Sequence, residues 1–303
     1  MIRSQLIAIL TVTVIMPAAA SGDPSRQMED ALPVTTPAHE PFQTTDQNHA
    51  LEAGWRAYQE GRVSEALAAY QEAVKAAPND ASLWYDLGCL YALNHDLAMA
   101  RSALQQALSL HPQLAAAHDA MGQLHEQEAD VSGALTWYER ADALQPGTTK
   151  FLRHLIRARL RLHDTEAARP ALQQLLIAEP ADAEARYQLG VLELRANAPD
   201  LAIHHFQKLL EHTPTHVMAW NGLALAYARI GEFGEASTAL EKARLLQPDN
   251  ASTQTNAGIV AAYQQRWEEA RRAWQRALEL DPECSPASHN LEALNALTSP
   301  SSP

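Results

Sequence analysis

Residues 81–114 read ASLWYDLGCLYALNHDLAMARSALQQALSLHPQL, and residues 217–250 read VMAWNGLALAYARIGEFGEASTALEKARLLQPDN. Both segments are 34 residues long and place Trp at position 4, Leu at 7, Tyr at 11, Ala at 20 and 27, and Pro at 32. Positions 4, 7, 8 and 11 recur at helical spacing, as do positions 20, 24 and 27. Each segment therefore predicts two amphipathic helices with inward apolar faces, and the proline ends the second helix because it cannot donate to the preceding turn.

The same 34-residue period runs along most of the chain. Two columns are complete over seven segments, the proline at position 32 and the alanine at position 20: Pro78, Pro112, Pro146, Pro180, Pro214, Pro248 and Pro282, with Ala66, Ala100, Ala134, Ala168, Ala202, Ala236 and Ala270. Glycine fills position 8 in five of the seven segments, and a bulky residue fills position 24 in all of them. Self-similarity at a fixed period of this length indicates a repeat protein, in which neighbouring repeats bury each other's apolar faces.

These columns resemble the signature of the tetratricopeptide repeat (TPR) family continuously over residues 47–284. The resemblance implies an all-α fold, a right-handed superhelical solenoid of seven repeats: 47–80, 81–114, 115–148, 149–182, 183–216, 217–250 and 251–284. Residues 285–297 begin with Ser285-Pro286 and carry leucines at three-residue steps, which predicts a helix that caps the open apolar face of the seventh repeat. Residues 298–303 are predicted to form a disordered polar tail.

Small and large residues alternate in a way that predicts how the two helices of a repeat meet. Glycine at position 8 and alanine at position 20 let the backbones approach closely, while large side chains at position 24 fill the surrounding space. The fourth repeat departs from this pattern, because Ile156 replaces the glycine and Leu175 replaces the alanine at position 27. We expect its two helices to lie further apart or to cross at a different angle.

The first twenty residues predict a secretory signal peptide. They combine Arg3, an apolar run from Leu6 to Met16 and the small residues Ala18–Ala20. The run is shorter than the ~20 apolar residues that a spanning helix needs, so we expect cleavage after Ala20 and no stable membrane span afterwards. Retention as an anchor is the alternative. Residues 21–46, rich in Pro, Thr and Ser, are predicted to form a flexible linker, and the protein is expected in the periplasm or secreted.

The overall charge argues against nucleic acid as a partner. Acidic residues outnumber basic ones by 36 to 23, whereas phosphate binding needs a surplus of Lys and Arg, so nucleic acid is not expected as a partner.

Cys89 and Cys284 lie in the second and seventh repeats, too far apart in a solenoid for a disulfide bond, which needs Cα atoms within about 7 Å. Free thiols are predicted, and an intermolecular bridge is the minority alternative.

No catalytic motif, cofactor motif or metal motif is recognised in the sequence, so no catalytic, cofactor-binding or metal-binding residue is predicted. The segment His125-Glu126-Gln127-Glu128-Ala129 lacks the second histidine of a zinc protease helix. His118 and His125 occupy positions 4 and 11 of the third repeat, which predicts packed core rings. A further cluster, predicted to share no metal, comprises His204, His205, His212 and His216.

Positions 2, 5, 6, 9, 12 and 13 of each first helix lie opposite its predicted inward face, and the TPR resemblance implies that they line a concave groove. The candidate partner-binding residues at these positions are Lys150, Arg153, Arg157, Arg161, Arg195, Arg229, Trp55, Tyr58 and Tyr85. Four cations at i, i+3, i+7 and i+11 of one helix repel one another when unpaired. We interpret them as a strip that binds carboxylates, with the aromatic residues as an apolar anchor. The alternative is a solvated helix face.

Taken together, the sequence predicts a non-catalytic scaffold or adaptor in an envelope assembly. Its partner would be a protein or peptide with an acidic segment, and the occupant of the strip could also be this chain's own linker, which carries Asp23, Glu29, Asp30, Glu40 and Asp46. The alternative function is a regulatory or substrate-delivery subunit of an envelope enzyme complex. A stand-alone enzyme is disfavoured because no nucleophile with a base and no metal triad is recognisable.

Overall fold

The computed structural model describes residues 45–298, and in this range it contains fifteen α-helices and no strand. The predicted all-α fold class is confirmed. The helices are α1 Thr45–Gln59, α2 Val63–Ala76, α3 Ala81–Leu93, α4 Leu97–Leu110, α5 Ala115–Gln127, α6 Val131–Leu144, α7 Thr149–Arg161, α8 Thr165–Ala178, α9 Ala183–Arg195, α10 Pro199–His212, α11 Val217–Ile230, α12 Phe233–Leu246, α13 Ala251–Tyr263, α14 Trp267–Leu280 and α15 Ser285–Thr298. The predicted signal peptide, most of the linker and most of the tail lie outside the described residues.

The described residues form two compact units, 45–178 with α1–α8 and 179–298 with α9–α15. Within each unit the two helices of a pair pack against each other, and the second helix of a pair also packs against the first helix of the next. The apolar core runs continuously from pair to pair in the second unit, as the periodic pattern predicts. In the first unit one large cluster extends from Leu51 to Leu124, and smaller separate clusters surround Tyr138 and Phe151.

The glycine column brings the helices of a pair into close contact. A Cβ atom added at Gly88 would lie 2.7 Å from Cγ of the fully buried Leu104, so only glycine fits there without displacing the leucine. In the fourth pair Ile156 takes this place and is buried, and α7 and α8 approach each other at fewer points than the helices of any other pair in the described range. This is the irregularity that the sequence predicts for the fourth repeat.

The turn inside each pair has one residue in the left-handed backbone region, always at position 15 of the 34-residue segment. The seven residues are Gly61, His95, Ala129, His163, Asn197, Gly231 and Gln265, with φ between 57° and 86°. This conformation ends the first helix and redirects the chain into the second. Glycine adopts it without steric cost, whereas a residue with a Cβ atom costs about 1–2 kcal/mol there, so five of these seven turns are strained.

Position 4 does not lie wholly in the core, although its helical spacing predicts an inward-facing side chain. Trp84 and Trp220 are half-buried, and their indole N–H groups donate to the carbonyl oxygens of Pro78 and Pro214, both at 2.8 Å. His118 Nε2 lies 2.9 Å from the equivalent oxygen of Pro112. An indole N–H needs a partner when it is buried, and carbonyl groups just beyond a helix end lack partners within the helix. In α3, α5 and α11 the side chain at position 4 therefore ties the first helix to the end of the preceding pair.

The last helix packs as a cap. Ala287, Asn290 and Leu294 of α15 are buried, and α15 packs against α14, the second helix of the last pair. The side chain of Leu297 lies outside the described part of the structure. Both cysteines are buried free thiols, as predicted.

Candidate protein-interaction surface

The positions predicted to be open are only partly open. The first helices of successive pairs contact each other, for example α3 with α5 and α11 with α13. This contact buries most side chains at positions 5, 6 and 9. Tyr85 is 3% exposed and is therefore not available as an apolar anchor, which corrects its assignment to the partner-binding surface. Trp55 and Tyr58 remain half-buried at the surface of the first unit's core.

The four cations of α7 lie above two acids of the preceding pair. Arg157 donates to Glu126 Oε2 at 2.7 Å, and Arg161 donates to Glu126 Oε1 at 3.0 Å. Lys150 Nζ lies 3.6 Å from Asp119 Oδ2. The cations of α7 are therefore not an unpaired cluster of like charges, because α5 supplies the negative partners that α7 itself lacks. We call Lys150, Arg153, Arg157 and Arg161 the basic strip.

The acids and cations differ sharply in exposure. The side chains of Arg161, Arg157 and Lys150 are 45%, 31% and 27% exposed, whereas those of Glu126 and Asp119 are 12% and 2% exposed. The cations also outnumber these acids by four to two. The surface that a partner can reach is therefore positive, although the acids beneath it partly neutralise the charge of the cations.

Glu126 is held by three donors. Besides Arg157 and Arg161, the hydroxyl of Tyr138 on α6 donates to Glu126 Oε2 at 2.7 Å. Burial by itself raises the pKa of Glu126, but the hydrogen bond and charge of Arg157 and the bond from Tyr138 outweigh it, so that the pKa is lower than usual. Glu126 is consequently a carboxylate at neutral pH.

Asp119 has a different environment, in the interior of the first unit. His154 Nδ1 lies 2.6 Å from Asp119 Oδ1, and Gln123 Nε2 donates to Asp119 Oδ2 at 2.9 Å. The ring of His154 is fully buried and lies 5.2 Å from that of Tyr138. Buried polar groups must be hydrogen-bonded to avoid a desolvation cost, so this cluster fixes the packing of α5 on α7.

The two remaining candidate arginines belong to the second unit. Arg229 on α11 donates to the carbonyl oxygen of Leu194, and its Nη1 lies 3.5 Å from Asn197 Oδ1. It thus adds a donor to a carbonyl in the last turn of α9 that also accepts from the backbone N–H of Asn197 at 3.2 Å, which is a structural role. Arg195 is exposed in the last turn of α9.

A hydrogen-bonded chain in the second unit was not predicted. Asn250 Oδ1 accepts from the backbone N–H and the hydroxyl of Thr253, and that hydroxyl in turn accepts from Asn221 Nδ2 at 3.0 Å. Because Asn250 caps the helix, its Oδ1 atom must accept, and every donor in this hydrogen-bonded series therefore points from Asn221 towards Asn250. Asn221 Oδ1 is left as a buried acceptor that receives no hydrogen bond. The chain crosses from α11 to α13 and ties their buried faces together.

Several histidines of the described range serve packing or capping. His118 is buried as predicted, with its ring 5.5 Å from that of Trp137, while His125 is half-buried with Nδ1 2.9 Å from Asp130 Oδ2. His216 caps α11 by accepting from the backbone N–H of Ala219. Burial lowers the pKa of His205 to about 4. Between residues 45 and 298, no three His, Cys, Asp or Glu side chains are arranged to hold a metal ion.

Helices in this same range are also too short or too polar to cross a membrane.

Curated relatives share parts of this architecture at low identity. Superkiller protein 3 of Schizosaccharomyces pombe is 28% identical over 181 residues, which is 56% of this chain and 13% of that protein. Anaphase-promoting complex subunit 6 of Arabidopsis thaliana is 25% identical over 185 residues, which is 59% of this chain and 34% of that protein. The chain thus spans about a third or less of the length of these relatives.

A solved structure and several family models agree on the fold. The crystal structure of YrrB, described as a TPR protein with an unusual peptide-binding site, is 20% identical, with a TM-score of 0.51 over 63% of this chain and 98% of that one. Models described as "Tetratricopeptide repeat" match residues 81–114, 155–215, 193–256 and 251–284, and one described as "TPR repeat" matches residues 54–94. The chain belongs to the tetratricopeptide repeat family.

Proposed function

We propose that this protein is a non-catalytic interaction module that binds an acidic segment of a protein or peptide partner at the basic strip. TPR proteins mediate protein–protein interactions, and among the relatives are a subunit of the anaphase-promoting complex and a protein with a peptide-binding site. The observation that carries the proposal is the arrangement of exposed cations over buried acids on α5 and α7. Arginine guanidinium groups bind carboxylates in a bidentate manner, so this surface suits acidic side chains.

Charge reversal of the strip tests the proposal. The probe is a fluorescein-labelled hexaglutamate peptide with an amidated C-terminus, and its binding is followed by fluorescence anisotropy at low and physiological salt. We expect Arg153→Glu plus Arg157→Glu to lose at least tenfold in affinity, about 1.4 kcal/mol, and to show a weaker salt dependence than the parent.

A matched control separates this site from the overall charge. Arg272→Glu plus Arg276→Glu changes the net charge equally, on α14 in the other unit. This control should bind the probe as the parent does. If the strip variant stays folded and also binds as the parent does, the strip is only a solvated face and the proposal is wrong.

The natural occupant of the strip is proposed to be a partner rather than the chain's own linker. If the acidic linker occupied the strip, it would compete with the hexaglutamate probe. Because we propose that it does not, deletion of residues 21–44 should leave the affinity for hexaglutamate unchanged. A rise in affinity upon deletion would assign the strip to the linker instead.

The proposed location of the module is the periplasm or the extracellular space, in an envelope assembly. The pattern of residues 1–20 supports this location. Cell fractionation, together with mass spectrometry of the mature N-terminus, should recover an exported chain that begins at Ser21. Recovery of an enzyme in fixed ratio with the chain would favour the regulatory-subunit alternative.

A further inference from the structure

Glu126 lies where its own helix does not favour it. It is in the last turn of α5, Ala115–Gln127, and the C-terminal end of a helix carries a partial negative charge that repels an acid. Its carboxylate is held instead by donors from other helices, Arg157 and Arg161 on α7 and Tyr138 on α6.

These three donors are the set that a partner's carboxylate would need. Two guanidinium N–H groups and one hydroxyl converge on a single carboxylate, at 2.7, 3.0 and 2.7 Å. Charge-assisted bonds of this kind are about twice as strong as neutral ones. Both arginine side chains are partly exposed, so a carboxylate from solution can reach them.

The two acids beneath the strip differ in whether they can give way. Asp119 is 2% exposed and also holds the buried His154 and Gln123, so its displacement would disrupt the core. Glu126 is 12% exposed, and of its three donors only Tyr138 is fully buried. Glu126 is therefore the acid that a partner can displace.

We infer that Glu126 occupies the carboxylate subsite of the basic strip and competes with the acidic side chain of a partner for Arg157 and Arg161. This inference rests on the proposed function and specifies how the site is regulated. A partner must displace Glu126 or bind the remaining donors, so Glu126 sets the threshold of negative charge that a segment needs in order to bind.

Glu126→Gln tests the inference, because the amide keeps the size of the side chain and removes its charge. With the hexaglutamate probe at low salt, we expect this variant to bind at least fivefold more tightly than the parent. The matched control is Glu128→Gln, which removes the same charge two residues away, where Glu128 pairs with Arg101 instead. The control should change affinity less than twofold. A hexaglutamine probe with a free C-terminus distinguishes a terminal carboxylate from side-chain carboxylates, and we expect it to bind weakly to every variant.

The outcomes separate the inference from the proposed function. If the parent binds, strip reversal abolishes binding and Glu126→Gln matches Glu128→Gln, the inference is overturned while the proposed function stands. If binding is indifferent to strip reversal, the proposed function itself fails. If Glu126→Gln does not fold, Glu126→Asp replaces it, since the shorter acid cannot hold both arginines at once. An affinity for hexaglutamate at least twofold higher than that of the parent supports the inference, and an unchanged affinity contradicts it.

Discussion

Replacement of Gly258 by alanine should destabilise the second unit, although alanine is the better helix former. Gly258 lies at position 8 of the last pair, where α13 packs against α14. A Cβ atom there would lie 2.6 Å from Cδ1 of Trp274 and 2.8 Å from its Cε2. Trp274 is fully buried, and its indole N–H donates to the carbonyl oxygen of Thr255 at 3.1 Å.

The magnitude follows from three opposing contributions. Overpacking of a filled core costs about 1–3 kcal/mol. Displacement of the indole also weakens a buried hydrogen bond, which contributes about 1 kcal/mol. The gain in helix propensity from glycine to alanine returns about 1 kcal/mol. We therefore expect a net loss of about 1–3 kcal/mol in the free energy of unfolding, the sum of these three values.

Gly234→Ala is the matched control, because an added Cβ atom at Gly234 meets no other atom within 4 Å. Gly234 lies near the start of α12 in the same unit, so the same chemical change should be neutral or stabilising by up to about 1 kcal/mol. Urea unfolding followed by circular dichroism at 222 nm compares the variants with the parent. Equal or greater stability of Gly258→Ala would show that the close approach at position 8 does not require glycine.

Four further changes test other parts of the fold. Ala129→Gly should raise stability by about 0.5–1 kcal/mol because Ala129 has φ of 62°, and Gly231→Ala, at φ of 86°, should lower it, both by urea unfolding. Deletion of residues 285–303 should lower the melting temperature and solubility, since it exposes the apolar face of α14; an unchanged melting curve would contradict the capping role. The pKa of Glu126 is lowered in the folded state, so its stabilising effect is present above its ordinary pKa near 4.5 and is lost as pH falls through the folded value. The parent should therefore lose more stability than Glu126→Gln between pH 5 and 3 in acid-unfolding curves, about the range in which carboxyl groups titrate.

The helices and their pairing could be predicted because each repeats the same local physics. Proline at position 32, alanine at 20 and glycine at 8 act within one 34-residue segment, so their spacing alone specifies two helices and their close contact. The irregular fourth pair was equally visible, since Ile156 is an exception within a column. Local patterns of this kind need no knowledge of the neighbouring repeats.

Features that depend on the next repeat could not be derived from one segment. Tyr85 lies opposite the inward face of its own pair, yet the first helix of the following pair covers it. A signal existed in the apolar residues of the same columns, such as Leu225 and Ile259, which an open groove would not require. Helical spacing likewise shows that the side chain of Trp84 faces inward, but not that its indole N–H group reaches a carbonyl of the preceding pair.

The ion pairs of the strip also leave a trace in sequence separation. Glu126 is 31 residues before Arg157 and 35 before Arg161, and Asp119 is 35 before His154. These separations are one period shifted by a few residues, which places the partners on adjacent first helices. A search for opposite charges one period apart would have found Glu126, although not its burial.

That burial explains how the strip can stabilise the fold and still present donors at the surface. An exposed ion pair contributes little to stability, and an unpaired cluster of cations repels itself. In this protein the acids lie beneath and the cations above, so the attraction acts where solvent screens it least, while donors remain at the surface. The same arrangement makes the two acids unequal: Asp119 holds the interior together through His154, whereas Glu126 at the edge holds, besides the buried Tyr138, two partly exposed arginines. Under the proposed function, the cations of the strip provide the affinity for a partner, and the acid closest to solvent modulates it.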